Sequence, residues 1–341
     1  MHDVLVTGGA GFVGSNLVSR LLAEGCRVRV LDNLSRPGVR LNAAWLAEQG
    51  DDRLEIIQAD VRDAAAVERA VQGVDTVFHF AAQVAVTTSV ADPRLDFEVN
   101  ALGTFNVLDA ARRASPSPVV LFSSTNKVYG SLEDLEVGES ARRYVLSGLP
   151  AGVAENRPLD FHSPYGCSKG AADQYVIDFS RIYGLPTVVL RLSCIYGPRQ
   201  FGTEDQGWVA HFARRALANE PITIYGDGKQ VRDVLFVSDA VEAFLRARQR
   251  AEHVRQQCYN VGGGPANSLS LLELIDLLER RLGRTVHYQF APWRPGDQRV
   301  YLSDLSAIQA ATGWSPQVGV EEGVDRLLAW LQLLPALPAG T

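Results

Sequence analysis

Over the first two-thirds of the chain, short and nearly continuous apolar runs alternate with longer amphipathic stretches. The runs at residues 4–6, 28–31, 54–57, 76–80, 119–122 and 187–192 are rich in β-branched side chains. A strand covered on both faces needs apolar side chains on both, so unbroken runs predict a parallel sheet between two helical layers. Helical periodicity at 12–23, 64–71, 101–114 and 171–183 supplies the crossovers. The expected fold is therefore α/β, a doubly wound parallel sheet of Rossmann type.

Beyond residue 191 the pattern loosens. Glycine- and proline-containing stretches at 197–198, 226–228, 262–265 and 294–297 separate shorter elements, with helices expected at 208–219, 239–249, 271–282 and 320–333. This predicts a binding domain over 1–192, with returns near 231–261. A smaller interleaved C-terminal lobe over 193–341 would close over the carboxyl edge of the sheet, where open α/β sheets bind ligands.

Composition narrows the picture. The 33 basic and 39 acidic residues leave a net charge of −6, which argues against a broad basic face for nucleic acid. The four cysteines are scattered without metal spacing, so reduced thiols and a cytoplasmic location are expected, and no metal. The first strand begins by residue 4, which leaves no room for a signal peptide, and the most apolar stretch, 327–339, falls short of the ~20 residues of a membrane span. Lysine is scarce: Lys127, Lys169 and Lys229 are the whole set.

Candidate chemistry sits at the ends of the predicted strands. Gly8-Gly9-Ala10-Gly11-Phe12-Val13-Gly14 links the first strand to the first helix, and Gly9, Gly11 and Gly14 give the spacing that lets backbone approach a pyrophosphate at a helix N-terminus. Asp32, followed by Asn33, ends the second strand, where a carboxylate can bond the ribose hydroxyls of NAD and repel a 2′-phosphate. Asp60-Val61 follows the third strand; that aspartate meets an adenine or caps the next helix. Phe80-Ala81-Ala82 ends the fourth, with side chains small enough for a cofactor or for tight packing. Tyr165 and Lys169 lie four apart on one helix face, and Ser123-Ser124-Thr125 closes the fifth strand. A free phenol titrates near ~10, so the neighbouring ammonium together with the positive nicotinamide is expected to lower Tyr165 toward the range of a useful base.

Together these residues resemble the extended short-chain dehydrogenase/reductase family that acts on nucleotide sugars. The likeness also takes in Asn100, Val128-Tyr129-Gly130, Tyr196-Gly197-Pro198 and Arg232-Asp233, and so nearly the whole chain. It implies a triad of Thr125, Tyr165 and Lys169 working with tightly held NAD that is regenerated each turnover. It further implies cofactor contacts at Ser123 and Lys169, support from Asn100 (or a helix cap there), a nucleotide-diphosphate sugar as substrate, and a homodimer built on helices near 100–114 and 165–183. Dehydratases of the family look to have an Asp-Glu pair after the catalytic hydroxyl; here it is Asn126-Lys127, which disfavours dehydration. The 123–130, 161–169 and 193–202 segments resemble the family's 2-epimerases, with 4-epimerases and net dehydrogenases as alternatives.

On that reading Asn126, Lys127, His162 and Cys194 line the sugar pocket. Arg199, Arg232 and Arg294 are candidates for the diphosphate and ribose, because a guanidinium binds phosphate bidentately. Asp297 is a ribose candidate. Each of the three arginines has the alternative of a surface ion pair, His162 of a loop position and Asp297 of a turn. Tyr225, in an Ile-Tyr-Gly-Asp-Gly turn, packs on the base or is a core strand tyrosine.

Overall fold

The apolar runs become strands because burial on both faces suits β-branched side chains and forces every backbone group into a ladder. In the computed structural model, which describes residues 2–294 and 297–334, they form β1 (Asp3–Thr7), β2 (Arg27–Asp32), β3 (Leu54–Gln58), β4 (Thr76–His79), β5 (Val119–Thr125) and β6 (Thr187–Leu192). A seventh strand, β7 (Gln257–Val261), arrives from the second half of the chain. The order is β7-β6-β5-β4-β1-β2-β3 with every pairing parallel. Strand order reverses between β1 and β4, and such a switch point opens a crevice at the strands' carboxyl ends.

Helix α1 (Phe12–Ala23) and the helix Ala64–Val71 keep the expected limits. The stretch expected as one helix over 101–114 opens with a π-helical turn, Glu98–Leu102, before Gly103–Arg113. Helix α2 (Ser163–Tyr183) starts at Ser163 rather than 171, with Pro164 in its first turn. Its first two turns carry Tyr165, Ser168 and Lys169, and these polar residues hide the apolar period that marks the remainder.

Helices cover the sheet on both faces. Leu17, Leu21, Phe78 and Leu121 pack on one side with Phe244 of the helix Val237–Gln249 and with Ile308 and Trp314. Leu31, Val67, Leu108, Phe122 and Val189 pack on the other. The later chain therefore returns to the main core through β7, through Val237–Gln249 and through the segment around Trp314, whose indole donates to the Asp239 carbonyl at 2.9 Å. The strand Val231–Phe236 does not join the main sheet. It pairs with Cys194–Tyr196, Val300–Tyr301 and Ser268–Ser270. Since Cys194 follows β6 almost directly, this second sheet rises from the carboxyl edge of the first.

The parallel pair Ile222–Tyr225 with Tyr288–Ala291 and the hairpin Val137–Glu139 with Tyr144–Leu146 were not anticipated. Their short, mixed sequences carry no clear period. The Pro295-Gly296 turn and the tail from 335 lie outside the described residues. Among the described residues no helix is long and apolar enough to cross a membrane, and no cluster of His, Cys, Asp or Glu has the arrangement of a metal site.

Candidate active site

The glycine turn is a backbone-to-backbone junction. Gly8 sits at φ +67°, and a Cβ there would come within 2.6 Å of the Ala81 nitrogen. A Cβ on Gly14 would lie 2.3 Å from the Gly8 oxygen. The turn, α1 and the end of β4 thus close on one another with no room for side chains, and Ala81 is both a packing residue and a wall. Gly11 caps α1 in extended conformation without a side-chain acceptor, so the first-turn N–H groups are left for a ligand.

These groups open onto a cavity of about 750 Å³ at the switch point. Its wall includes Gly8, Gly11, Phe12, Val13, Gly14, Asp32, Asn33, Asp60, Val61, Phe80, Ala81, Ala82, Ser123, Thr125, Tyr165 and Lys169. Asp32 is held by two backbone donors, Ala10 at 3.1 Å and Leu34 at 2.9 Å, and burial still pushes its carboxyl up. Asp60 accepts from Asn33 at 2.9 Å and from both ends of the Arg62 guanidinium at 3.0 Å. These bonds overcome burial and bring it down to about 2. The helix Ala64–Val71 is capped by Asp63, so Asp60 is not its cap. Fixed N–H donors, a backbone cradle and a held carboxylate are the donor set that a dinucleotide requires.

Asn100 stands behind the wall. Its amide accepts from the Gln83 N–H at 2.9 Å and donates to the Gln83 carbonyl at 3.0 Å, Asp96 at 3.1 Å and Ser168 Oγ at 3.0 Å. It is no helix cap; it ties the loop after β4 to the turn of α2 between Tyr165 and Lys169.

Thr125, Tyr165 and Lys169 share one wall of the cavity. Lys169 Nζ donates to the Ser123 carbonyl at 2.6 Å and lies 4.0 Å from the centre of the Phe122 ring. Burial lowers it to about 7 against the pull of Asp173 and Asp96. By itself the protein does not lower Tyr165: burial pushes its phenol up to about 12, and Thr125 only partly offsets this. The ammonium is engaged with Ser123 and does not relieve the phenol, so four-residue spacing alone does not make Tyr165 a base.

A second group gathers beyond Thr125. Asn126 is buried and accepts the Thr125 hydroxyl at 3.4 Å. Arg232 donates to Asp297 at 2.7 Å and to the Val231 carbonyl at 2.8 Å. Lys127 is near enough to both for their charges to act on it; burial first and then Arg232 lower it to about 8, against Asp297 and Cys194. Burial raises the Cys194 thiol, which faces Arg232, Lys127 and the Trp208 indole. Lys127, Cys194, Arg232 and Asp297 therefore converge although they come from four separate segments.

Other candidates do not join them. Arg294 lies 3.8 Å from the centre of the Tyr225 ring and reaches the Glu204 carbonyl at 3.1 Å and Asp205 at 3.3 Å. Tyr225 is thus a half-buried platform whose hydroxyl donates to Glu204 at 2.9 Å, and not a core strand residue. Arg199 stacks on Trp45 at 3.8 Å, away from the group around Lys127. His162 is exposed and pairs with Asp160 at 3.0 Å, and it does not line the cavity. Sequence reasoning passed over Arg36, Gln83, Gln200, Asp205 and Gln206, which line the cavity. They lie in loops without periodicity, and only the position of Arg36 just past the second strand could have marked it.

A cavity with a glycine turn at one end and a tyrosine–lysine pair at the other defines a nicotinamide-dinucleotide enzyme of the short-chain dehydrogenase/reductase type. The profile of the NAD dependent epimerase/dehydratase family matches residues 4–262. The chain is 46% identical to CDP-paratose 2-epimerase of Salmonella typhi over 334 residues, covering 96% of this chain and 98% of that one. The UDP-glucose 4-epimerase of Thermus thermophilus, solved with NAD, is 35% identical with a TM-score of 0.80, over 97% of this chain and 99% of that one. The UDP-glucuronic acid 4-epimerase of Bacillus cereus, solved with UDP-glucuronic acid and NAD, is 26% identical with a TM-score of 0.83, over the same shares. The chain belongs to the NAD dependent epimerase/dehydratase family. It is an enzyme, and its cofactor is NAD.

Proposed function

We propose that this enzyme is a nucleotide-sugar 2-epimerase of the CDP-paratose/CDP-tyvelose type. The observation that carries the reading is the pair after Thr125: Asn126 and Lys127 supply no carboxylate where a dehydratase of the family needs an acid and a base. The 46% identity to a CDP-paratose 2-epimerase over nearly the full chain supports the choice of carbon and nucleotide.

When bound, NAD would supply an acceptor for the hydride leaving the sugar carbon and, once reduced, a donor that can return it to the opposite face of the keto sugar. Tyr165 takes the proton of the sugar hydroxyl and later returns it, with Thr125 holding the same oxygen. Lys169 orients the nicotinamide ribose. For Tyr165 to act as a base its proton must become easier to remove, and the positive charge of a bound nicotinamide would lower the phenol in that direction. Asn126, Lys127 and Cys194 face the sugar, Arg232 the diphosphate with Asp297 beside it, and Arg294 with Tyr225 the nucleoside.

The test is CDP-paratose deuterated at C2. Full retention of the label in the C2 epimer, without solvent exchange or net NADH, is the expected outcome. Inversion at C4, or activity confined to UDP-hexoses, would give the 4-epimerase reading instead.

The homodimer belongs to the same proposal. Leu102, Phe105, Tyr175, Ile182 and Tyr183 are exposed on neighbouring helices, an apolar face suited to a two-fold four-helix contact. Sedimentation of a dimer at micromolar concentration is expected, and a monomer would overturn it. Four free cysteines suit a reducing compartment and hence the cytoplasm.

A further inference from the structure

We propose that Arg36 binds the diphosphate of the dinucleotide, and that a strap of residues 197–206 buckled over it retains the cofactor between turnovers. Three cations line the cavity, Arg36, Arg62 and Lys169. Arg62 is committed to Asp60 and Glu98, and Lys169 to the Ser123 carbonyl. Among the described residues Arg36 has no carboxylate within 4.0 Å; its one side-chain hydrogen bond goes to Gln206 Oε1 at 3.3 Å. It lines the cavity together with Asp32 and Tyr165, and its charge is felt by both. The first turn of α1, Phe12-Val13-Gly14-Ser15, carries no basic side chain. The glycine turn therefore offers a diphosphate only N–H groups, and a guanidinium supplies the missing countercharge.

Gln206 belongs to the strap, whose Gln200, Thr203, Asp205 and Gln206 line the same cavity as the glycine turn. It is fastened along its length. Asn16 donates to the Pro198 carbonyl at 3.1 Å and Asn42 to the Arg199 carbonyl at 3.2 Å. The Arg199 guanidinium lies 3.8 Å from the centre of the Trp45 ring, from a backbone at φ +72°, a conformation costly for a non-glycine residue. The Phe201 ring packs so closely on Gly38, at φ +77°, that a Cβ there would lie 2.2 Å from it. Two fasteners thus use positive-φ positions: an arginine held by stacking and a glycine that admits a ring. Arg199 acts here as a latch on Trp45, a role that needs no substrate phosphate.

The inference rests on the epimerase reading only in that the cofactor is reused, and its readout does not require the sugar. Holoenzyme is loaded with NAD, desalted, and the release of NAD is followed by chromatography. Arg36→Gln is expected to release NAD about 10- to 100-fold faster, as loss of a charge-assisted bond implies. Arg36→Lys should recover part of the retention because it keeps the charge, which a merely structural role would not do. Trp45→Ala is expected to speed release with no change in its salt dependence, whereas Arg36→Gln should reduce that dependence. Retention by Arg36→Gln equal to wild type overturns the phosphate role, and unchanged release in Trp45→Ala overturns the strap. A wild type that fails on CDP-paratose would defeat the epimerase reading and leave these release rates as informative as before.

Discussion

Two cations are buried to the same degree at successive turns of α2, Arg191 against Asp173 and Lys169 one turn before it, and the protein treats them in opposite ways. Arg191 on β6 gives both ends of its guanidinium to Asp173 of α2 at 2.9 Å, donates to the Tyr129 hydroxyl at 3.0 Å, and leaves that pair 3% and 0% exposed. Ser124 of β5 closes the group by donating to Asp173 at 2.7 Å. Lys169, one turn earlier on α2 and 3% exposed, holds a carbonyl and an aromatic face, with no carboxylate within 4.0 Å among the described residues. Pairing raises Arg191 well above its ordinary range, whereas burial brings Lys169 down to about 7. A buried charge with all its partners holds elements in place. One left short of partners is kept at a cost in stability, and such groups cluster where chemistry is done.

The sharpest way to separate the two turns is to remove chemistry without touching either cation. Tyr165→Phe deletes one hydroxyl from the cavity wall. Turnover is expected to fall by about 10²–10⁴-fold, as for loss of a general acid–base group. Bound NAD and the thermal midpoint should remain near wild type. Activity within tenfold of wild type would remove Tyr165 from the mechanism.

Next in size is the paired cation. Asp173→Asn leaves Arg191 charged and without its counterion in the core, and should cost about 3–5 kcal/mol in urea unfolding. Lys169→Met, which replaces an underpaired ammonium by an apolar side chain of similar length, is expected to be neutral or stabilising and yet inactive. If the two variants lost equal stability, the contrast between them would fail.

How far the sequence foretold this arrangement depends on whether a signal is local. Strands β1 to β6, α1 and the glycine turn are visible because each rests on neighbouring residues: β-branched runs, a 3.6-residue period, a strand–glycine–helix order. Tyr165 and Lys169 were visible as a pair for the same reason. What their environment does to them was not, since the burial that raises one and lowers the other is set by β5 and by the loop that Asn100 ties down. The arginines show the limit most clearly. Arg199 and Arg36 each follow a strand end, but only tertiary structure puts Trp45 under the first and the cavity beside the second. The return of the chain near 259–261 to the main sheet was among the expectations, although Gln257-Cys258-Tyr259-Asn260-Val261 is not a continuous apolar run. That of Ile308 and Trp314 could not, because a seven-residue helix, Ser306–Thr312, is too short to show a period.

The smallest expected effect bears on Lys169 itself. A lysine that titrates at about 7 in the folded protein and near its model value of 10.5 when unfolded binds more protons in the unfolded chain between those pH values. Unfolding free energy must then rise with pH across that window, and the destabilisation from burying Lys169 is fully felt only below pH 7. Lys169→Met lacks the titration, so the difference between wild type and variant isolates it. In cofactor-free enzyme, urea unfolding should show that difference moving in favour of wild type above pH 7 by up to about 1.4 kcal/mol per pH unit, and flat below it. Tyr165, raised to about 12, works the other way only above pH 10, so measurements from pH 6 to 9.5 keep it out. A difference independent of pH over that range would mean that Lys169 keeps its proton in the fold, and the two buried cations would then be alike after all.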